Sequence, residues 1–451
     1  MARTNQINMA EGSLLKKTFL FAFPLILTNI GQQFYMIADS SIVGRGVGIS
    51  ALASVGSADW IYWLVLWSVM MLTQGFSTFV SRFFGEKNFE MMNKSITMSV
   101  ILCFVSGIVL TVAGILISRP LLELLKTPAD IIDGSSVYLH TMISGTVIVI
   151  FYNMASAVLR SLGDGKSPLV AMGISAVLNI GLDLLFVFVF HWGIFGVAIA
   201  SVISQLFSLI YCIRRIFMSE VICLKKQFWK IDCKLIKDLM GFSLPLALQY
   251  IIINLGGVVL QSTINSCGTD FVAGFTATNK LYGLLECSAI SLGSAFSAYF
   301  AQNHGAGEVQ RIKEGHKYAV YLSVATSLII MTIVLIWGKN LLGLFIDSSQ
   351  KDNIAPLAIA WKYLFVMAVC LVILYLIYVY RSLLQSVGIS SWSLISGFGE
   401  FFVRCSMAKI VFLWFGENTL FFAEPFAWLA ALLFVMIPFF FKQLRQYSNP
   451  F

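Results

Sequence analysis

The sequence predicts an all-α integral membrane protein of twelve transmembrane helices, built as two six-helix bundles related by a parallel pseudo-two-fold repeat. Three observations carry that reading. Of 451 residues, 58% are hydrophobic and 12% charged, against about a quarter charged in soluble domains, and the mean hydropathy is +0.85. Apolar runs such as Ile96 to Ile117 and Leu357 to Tyr380 reach the roughly 20 residues a helix needs to cross about 30 Å of hydrocarbon. Finally, the Lys and Arg residues gather in alternate gaps between such runs.

Apolar windows and their breakers place the spans near 18–43, 51–81, 96–117, 135–159, 168–190, 194–213, 241–265, 271–301, 318–337, 357–380, 392–415 and 426–441. The first is preceded by a polar start with no small-residue cleavage site after the apolar run, so it is read as a retained helix. Every second gap is basic: Arg3, Lys16 and Lys17; Arg82, Lys87 and Lys94; Arg160 and Lys166; seven cations from Arg214 to Lys237; Arg311, Lys313 and Lys317; Arg381; Lys442 and Arg445. The opposite gaps hold only Arg45, Arg119, Lys126, Lys339 and Lys351. By the positive-inside rule both termini are cytoplasmic, in the inner (plasma) membrane of the cell.

The longest loop comes after span six and divides the chain into a bundle at 1–213, a linker at 214–240 and a second bundle at 241–451. Its interleaved aromatic and basic residues suit anionic lipid at a membrane surface rather than nucleic acid. The eight cysteines are scattered without a C-x-x-C pair, and the four histidines lie near loop ends, so no metal, redox or hydrolytic centre is expected. No Walker-type loop is present, which leaves an ion gradient as the energy source for any transport. An enzyme and a protein cofactor are not expected.

The halves resemble one another. FAFPLILTN from Phe21 lies on FSLPLALQY from Phe242, matching Pro24 to Pro245; Gly85 falls on Gly305, Ser161 on Ser386 and Gly163 on Gly388. Six spans separate each pair, so both halves run in the same direction. Two such bundles around a cleft suit alternating access.

Acids inside the hydrocarbon layer cost several kcal/mol unless paired, hydrated or protonated, which singles out Asp39, Asp59, Asp183, Glu286 and Glu400. Asp39 is about 33 Å along the helix from Lys17 and Asp183 about 22 Å from Pro168, which places both in the outer half of the first bundle. Asn179 and Asp183 share one helical face at i,i+4, a charged and a neutral oxygen suited to a cation; the plainer reading is that the acids only bridge helices. Tyr138 falls at similar depth, Asn153 lies deeper, and Ser201 and Gln205 are i,i+4 neighbours on span six. Asp59 sits beside Trp60 and Trp63, a rim acid or a place for a cationic amphipath. In the second half Gln261 stands where Asp39 does, Glu286 is near mid-depth, and Glu400 with Arg404 reads as a structural i,i+4 ion pair. As a two-member pair, Glu400 and Arg404 could be removed together with little net loss. Pro24 permits a kink below Asp39, with a gating role or simple packing as the two readings.

The order P-x14-D in span one, G-F-S-T-x-V-S-R-x-x-G-E after span two, L-R-S-x-G-D-x-K after span four and N-x-x-x-D in span five resembles the multidrug and toxic compound extrusion (MATE) family over nearly the whole chain. The resemblance implies a two-lobed antiporter that expels amphipathic, often cationic organic compounds in exchange for H+ or Na+. It carries the coupling role onto Asp39 and Asp183 with Asn179 beside them, and Tyr138, Asn153 and Ser201 by their spacing from the loops. The absence of acids in spans seven and ten resembles the DinF-like branch. A monomer with small-molecule and lipid partners is the expectation. The competing reading is a lipid-linked sugar flippase of related fold, which would line its cleft with cations, whereas Lys280, Arg404 and Lys409 are the ones clearly intramembrane.

Overall fold

The computed structural model describes residues 9, 11–12, 14–125, 127–343 and 354–440, without the side chains at 14–16, 19, 49, 60 and 440. The charges Arg3, Lys126, Lys351, Lys442 and Arg445, and the side chains of Lys16 and Trp60, lie outside the described residues. The described chain is helical from end to end: α1 Leu14–Gly46, α2 Ile49–Gly85, α3 Phe89–Leu124, α4 Ile132–Ser144, α5 Thr146–Ser161, α6 Lys166–Leu184, α7 Gly193–Phe217, α8 Cys233–Ile264, α9 Thr269–Gly305, α10 Val309–Leu342, α11 Ile354–Ser386, α12 Ser391–Ser406, α13 Phe412–Phe415 and α14 Ala423–Phe440. Among the described residues ten helices are long and apolar enough to cross a membrane.

The two expected spans outside that ten are altered for identifiable reasons. Span four is broken at Gly145 into α4 and α5, bent by 48°. A Cβ at Gly145 would come 2.6 Å from Val202 Cγ2, so the missing side chain admits α7 into the bend. Span eleven runs from α12 through a π-helical turn, Met407–Val411, into α13, and Glu400, Arg404 and Lys409 lower its hydropathy.

The membrane is legible in which side chains face outward. On α3 Cys103, Gly107, Gly114 and Ser118 are buried, while Val105, Val109, Val112 and Leu116 are exposed. On α10 Ala319, Ser323, Ser327 and Gly338 are buried, while Leu328, Ile329 and Ile336 are exposed. Small residues let helices approach and large apolar ones meet lipid. In water the pattern would be reversed.

The described residues of Phe19–Ala247 and of Leu248–Phe451 form two compact units, divided within α8. In the first, Val69, Phe76, Val80, Met92 and Ile150 form one apolar core, and Val43, Ala58, Leu139 and Val197 another toward the opposite helix ends. The second has a core of Leu281, Val334, Leu342, Ala360 and Leu364. The repeat extends to the backbone. Gly48 and Gly268 precede α2 and α9 with φ of 119° and 94°, and Gly163 and Gly388 end α5 and α11 with φ of 80° and 88°. A π turn at Leu185–Val189 after α6 has its counterpart in Met407–Val411 after α12.

The loop expected to link the halves is strapped to α3. Asn93 Nδ2 donates to the Val221 carbonyl at 3.2 Å, Cys223 N donates to Asn93 Oδ1 at 2.7 Å, and Thr97 donates to the Phe228 carbonyl at 2.7 Å. Lys94 meets Asp232 at 2.6 Å, and Asp232 caps α8 by accepting from Leu235 N at 3.0 Å. The Lys94 hydrogen bond, then the Leu235 N–H, hold the Asp232 carboxyl below its ordinary range.

The Asp232 contribution is therefore present above the ordinary carboxylate range and lost as pH falls through its depressed value. Limited proteolysis at falling pH should cut this loop only at strongly acid pH in the native chain, and at higher pH in Asp232→Ala. A second expectation concerns Gly75, where a Cβ would stand 2.8 Å from Ser243 Cα. Gly75→Val should destabilise by about 1–3 kcal/mol, read by thermal unfolding in detergent.

Candidate functional site

In the first unit the chain order brings the end of α1, the start of α2, the start of α4, the end of α6 and the start of α7 to one end of the bundle. The acids gather there. Asn179 and Asp183, one turn apart on α6, are fully buried. With its amide turned so that donors meet acceptors, Asn179 donates to Asp183 Oδ2 at 2.9 Å and accepts from Ser201 Oγ at 3.1 Å. Tyr35 on α1 lies 3.2 Å from the same Ser201 oxygen. One turn further along α1, the Asp39 carboxyl is a hydrogen-bond partner of Asp183.

An ionised carboxylate has acceptors only, so two of them hydrogen-bond only when one carries a proton. Asp39 Oδ1 and Asp183 Oδ1 are both buried and accept from no donor. Buried oxygens of this kind cost roughly 1–3 kcal/mol each. The arrangement can hold a proton between the acids, or gather oxygens around a small cation.

A second layer adjoins it. Tyr138 on α4 reaches Asp59 Oδ1 at 3.5 Å and is also electrostatically close to Asp39 and Tyr35. The Tyr62 hydroxyl on α2 is buried without a hydrogen-bond partner. Trp63 packs on Trp67, with ring centroids 6.4 Å apart. The Trp60 side chain lies outside the described residues. Asn153 bonds back to its own helix at the Val149 carbonyl, 2.9 Å away, and is not brought to the acids. The helix α1 continues unbroken through Pro24, whose carbonyl accepts from Thr28 at 2.8 Å.

The second unit treats charge differently. Glu400 accepts from Arg404 and from Arg381, each at 3.0 Å, and Arg404 also donates to Glu424 at 2.5 Å. Ser396 bonds Arg381 at 3.1 Å and the Ile253 carbonyl accepts from Arg404 at 2.8 Å. The expected pair is thus two members of a four-charge chain. Arg381, counted from sequence as a loop cation, is 7% exposed, because α11 runs on to Ser386 and carries it inward. Glu286 accepts from Tyr378 at 3.0 Å. Gln261 is half-buried and donates to Asn265 at 2.8 Å.

Sequence reasoning passed over Tyr35, Tyr62, Arg381 and Glu424. Tyr35 stands at i−4 from Asp39, a spacing that could have found it. Arg381 and Glu424 meet Glu400 and Arg404 across helices, and no local spacing encodes that.

Arg404→Leu should destabilise by about 3–5 kcal/mol by stranding Glu424 and leaving Glu400 with Arg381 alone. Adding Glu400→Leu should recover little, because Glu424 stays stranded and Arg381 then loses its acid as well. Thermal unfolding in detergent measures both.

Twelve spans in two repeated halves, with buried acids in both, define a polytopic membrane protein of the transporter class. The comparisons make this specific. The MatE family model matches residues 24–185 and 245–408, and the chain belongs to that family of membrane transporters, which are not enzymes. The chain is 30% identical to the probable multidrug resistance protein YpnP of Bacillus subtilis, over 77% of this chain and 78% of that one. It is 23% identical to the multidrug export protein MepA of Staphylococcus saprophyticus, over 76% of each. A solved outward-facing structure of a multidrug resistance MATE family transporter superposes with a TM-score of 0.89 at 19% identity, covering 99% of this chain and 98% of that one. This last likeness shows the fold.

Proposed function

We propose that the protein is a proton-coupled exporter of amphipathic, often cationic organic compounds, working by alternating access. The single observation that carries the coupling is the contact between Asp39 and Asp183, with a buried oxygen on each that accepts from no donor. Like charges this close in a low-dielectric site favour a shared proton. Binding of an organic cation nearby would favour its release, and an inward proton gradient would reload the pair. Asn179, Ser201 and Tyr35 orient Asp183, while Asp59 with Tyr138 offers a second acid and an aromatic face to a cationic compound. The names of the relatives support multidrug export. The DinF-like placement of the coupling acids, in the first half, agrees with the absence of any acid on α11. We further take the chain to be a monomer of the inner membrane with cytoplasmic termini, where the Lys-rich strap beside α3 meets anionic lipid.

The flippase reading is less well supported, since Arg381 and Arg404 are engaged by Glu400 and Glu424 and Lys280 is exposed. Neither guanidinium is left for a pyrophosphate.

Proteoliposomes loaded with a fluorescent organic cation provide the test. An inward pH gradient without Na+ should drive efflux, and Asp39→Asn or Asp183→Asn should each lower it by roughly tenfold or more. The double variant should be little worse than either single, since residues acting as one unit are non-additive. Efflux that requires an inward Na+ gradient would instead assign Asp39, Asn179 and Asp183 to sodium.

A further inference from the structure

The ions of the second unit do not balance. Glu400 and Glu424 are matched by Arg381 and Arg404 in one chain of contacts between 2.5 and 3.0 Å. Two acids and two guanidiniums neutralise one another. Glu286 is a third acid, on α9, with no cation bonded to it among the described residues. Lys280 on its own helix, Lys362 on α11 and Lys409 beyond α12 are all exposed.

Glu286 is held by hydroxyls instead. Tyr378 donates to its Oε1 at 3.0 Å, and Tyr282, one turn before it on α9, is a second hydrogen-bond partner. Tyr282 stacks on the buried Trp428 of α14, centroids 5.7 Å apart, so that phenol is fixed by packing. Tyr250 on α8 bonds Tyr378. The titratable and charged groups facing Glu286 are therefore Tyr250 from α8, Tyr282 from α9, Tyr375 and Tyr378 from α11, Glu400 from α12 and Glu424 from α14. Arg381 and Arg404 stand behind the two glutamates.

Two further features distinguish this acid from a purely structural one. Glu286, Tyr250, Tyr282 and Tyr378 are all half-buried, as is Glu424, whereas Arg381, Glu400 and Arg404 are buried, so of the two half-buried acids Glu286 is the one that bonds no guanidinium. The neutral chain is also not saturated, since Arg404 Nε is buried without an acceptor. An uncompensated carboxylate among membrane helices needs one positive charge. A phenol donates to the carboxylate and, by turning its hydroxyl, accepts from the carboxylic acid, so Tyr378 serves both states.

We propose that Glu286, with Tyr378 and Tyr282, is a second proton-exchange site, formed wholly within the second unit and separate from Asp39 and Asp183. The Arg381–Glu400–Arg404–Glu424 chain serves it by cancelling every other charge nearby, which leaves Glu286 as the group whose occupancy changes.

Infrared difference spectroscopy of the full-length protein in lipid, recorded through a pH titration, tests the site without requiring transport. Asp39→Asn with Asp183→Asn should retain a protonating buried-carboxyl band. Adding Glu286→Gln should remove that band, and Tyr378→Phe alone should shift its frequency and midpoint while leaving the band present. No such band in the Asp39/Asp183 variant, or a band that survives Glu286→Gln, would overturn the proposal. Because this readout involves neither efflux nor the first-unit pair, it stands apart from a failure of the export reading. Where efflux is proton-driven, Glu286→Gln should also lower the limiting substrate accumulation by about tenfold per unit of pH gradient, the contribution of one coupled proton at 1.4 kcal/mol per tenfold. Unchanged accumulation would count against the coupling of this site.

Discussion

The constraint on which the structure turns is the cost of an unmatched charge inside hydrocarbon, several kcal/mol wherever water is excluded. The two units meet it in different ways with the same helices. In the first, two carboxyls are placed against each other, Asp39 on α1 and Asp183 on α6, and their neighbours Tyr35, Asn179 and Ser201 are neutral. In the second, Arg381 and Arg404 are laid between Glu400 and Glu424. The first arrangement sets two acids together with no bonded cation among the described residues, and the second pairs its acids with guanidiniums, apart from Glu286.

The π turns show how similar backbones support these different uses. One comes directly after Asp183 and Leu184, with Phe190 N bonded to the Leu185 carbonyl at 3.0 Å. The other lies three residues beyond Arg404, closed by Phe412 N on the Met407 carbonyl. A π turn inserts one residue and so rotates the two helical segments on either side of it relative to each other. In both units it separates the polar, inward-facing part of the span from an apolar end where Val189 or Leu413 is exposed. The repeat thus keeps a geometry, while the side chains on it decide whether an acid faces another acid or a guanidinium.

Much of this was legible in the chain itself. Pro24 against Pro245 and Gly163 against Gly388 exposed the repeat, and the glycines at 163 and 388 share a positive φ that accounts for their matching. The i,i+4 spacings found Asn179 with Asp183 and Glu400 with Arg404 because a helix converts that spacing into contact. The same rule is blind across helices. It could not show that Asp183 meets Asp39, that Tyr138 turns toward Asp59, or that Glu400 has Arg381 as a second partner.

Composition and periodicity alone determined that this chain is a membrane-embedded helical repeat, because crossing hydrocarbon demands long apolar helices with few charges. They also determined which ionisable groups were expensive enough to matter. Only the tertiary structure decided which of those groups share a charge and which cancel one. That outcome depends on separations of a few ångströms between helices far apart in sequence, such as the 3.0 Å from Arg381 to Glu400. At low dielectric a separation of that size decides whether a carboxyl needs a proton.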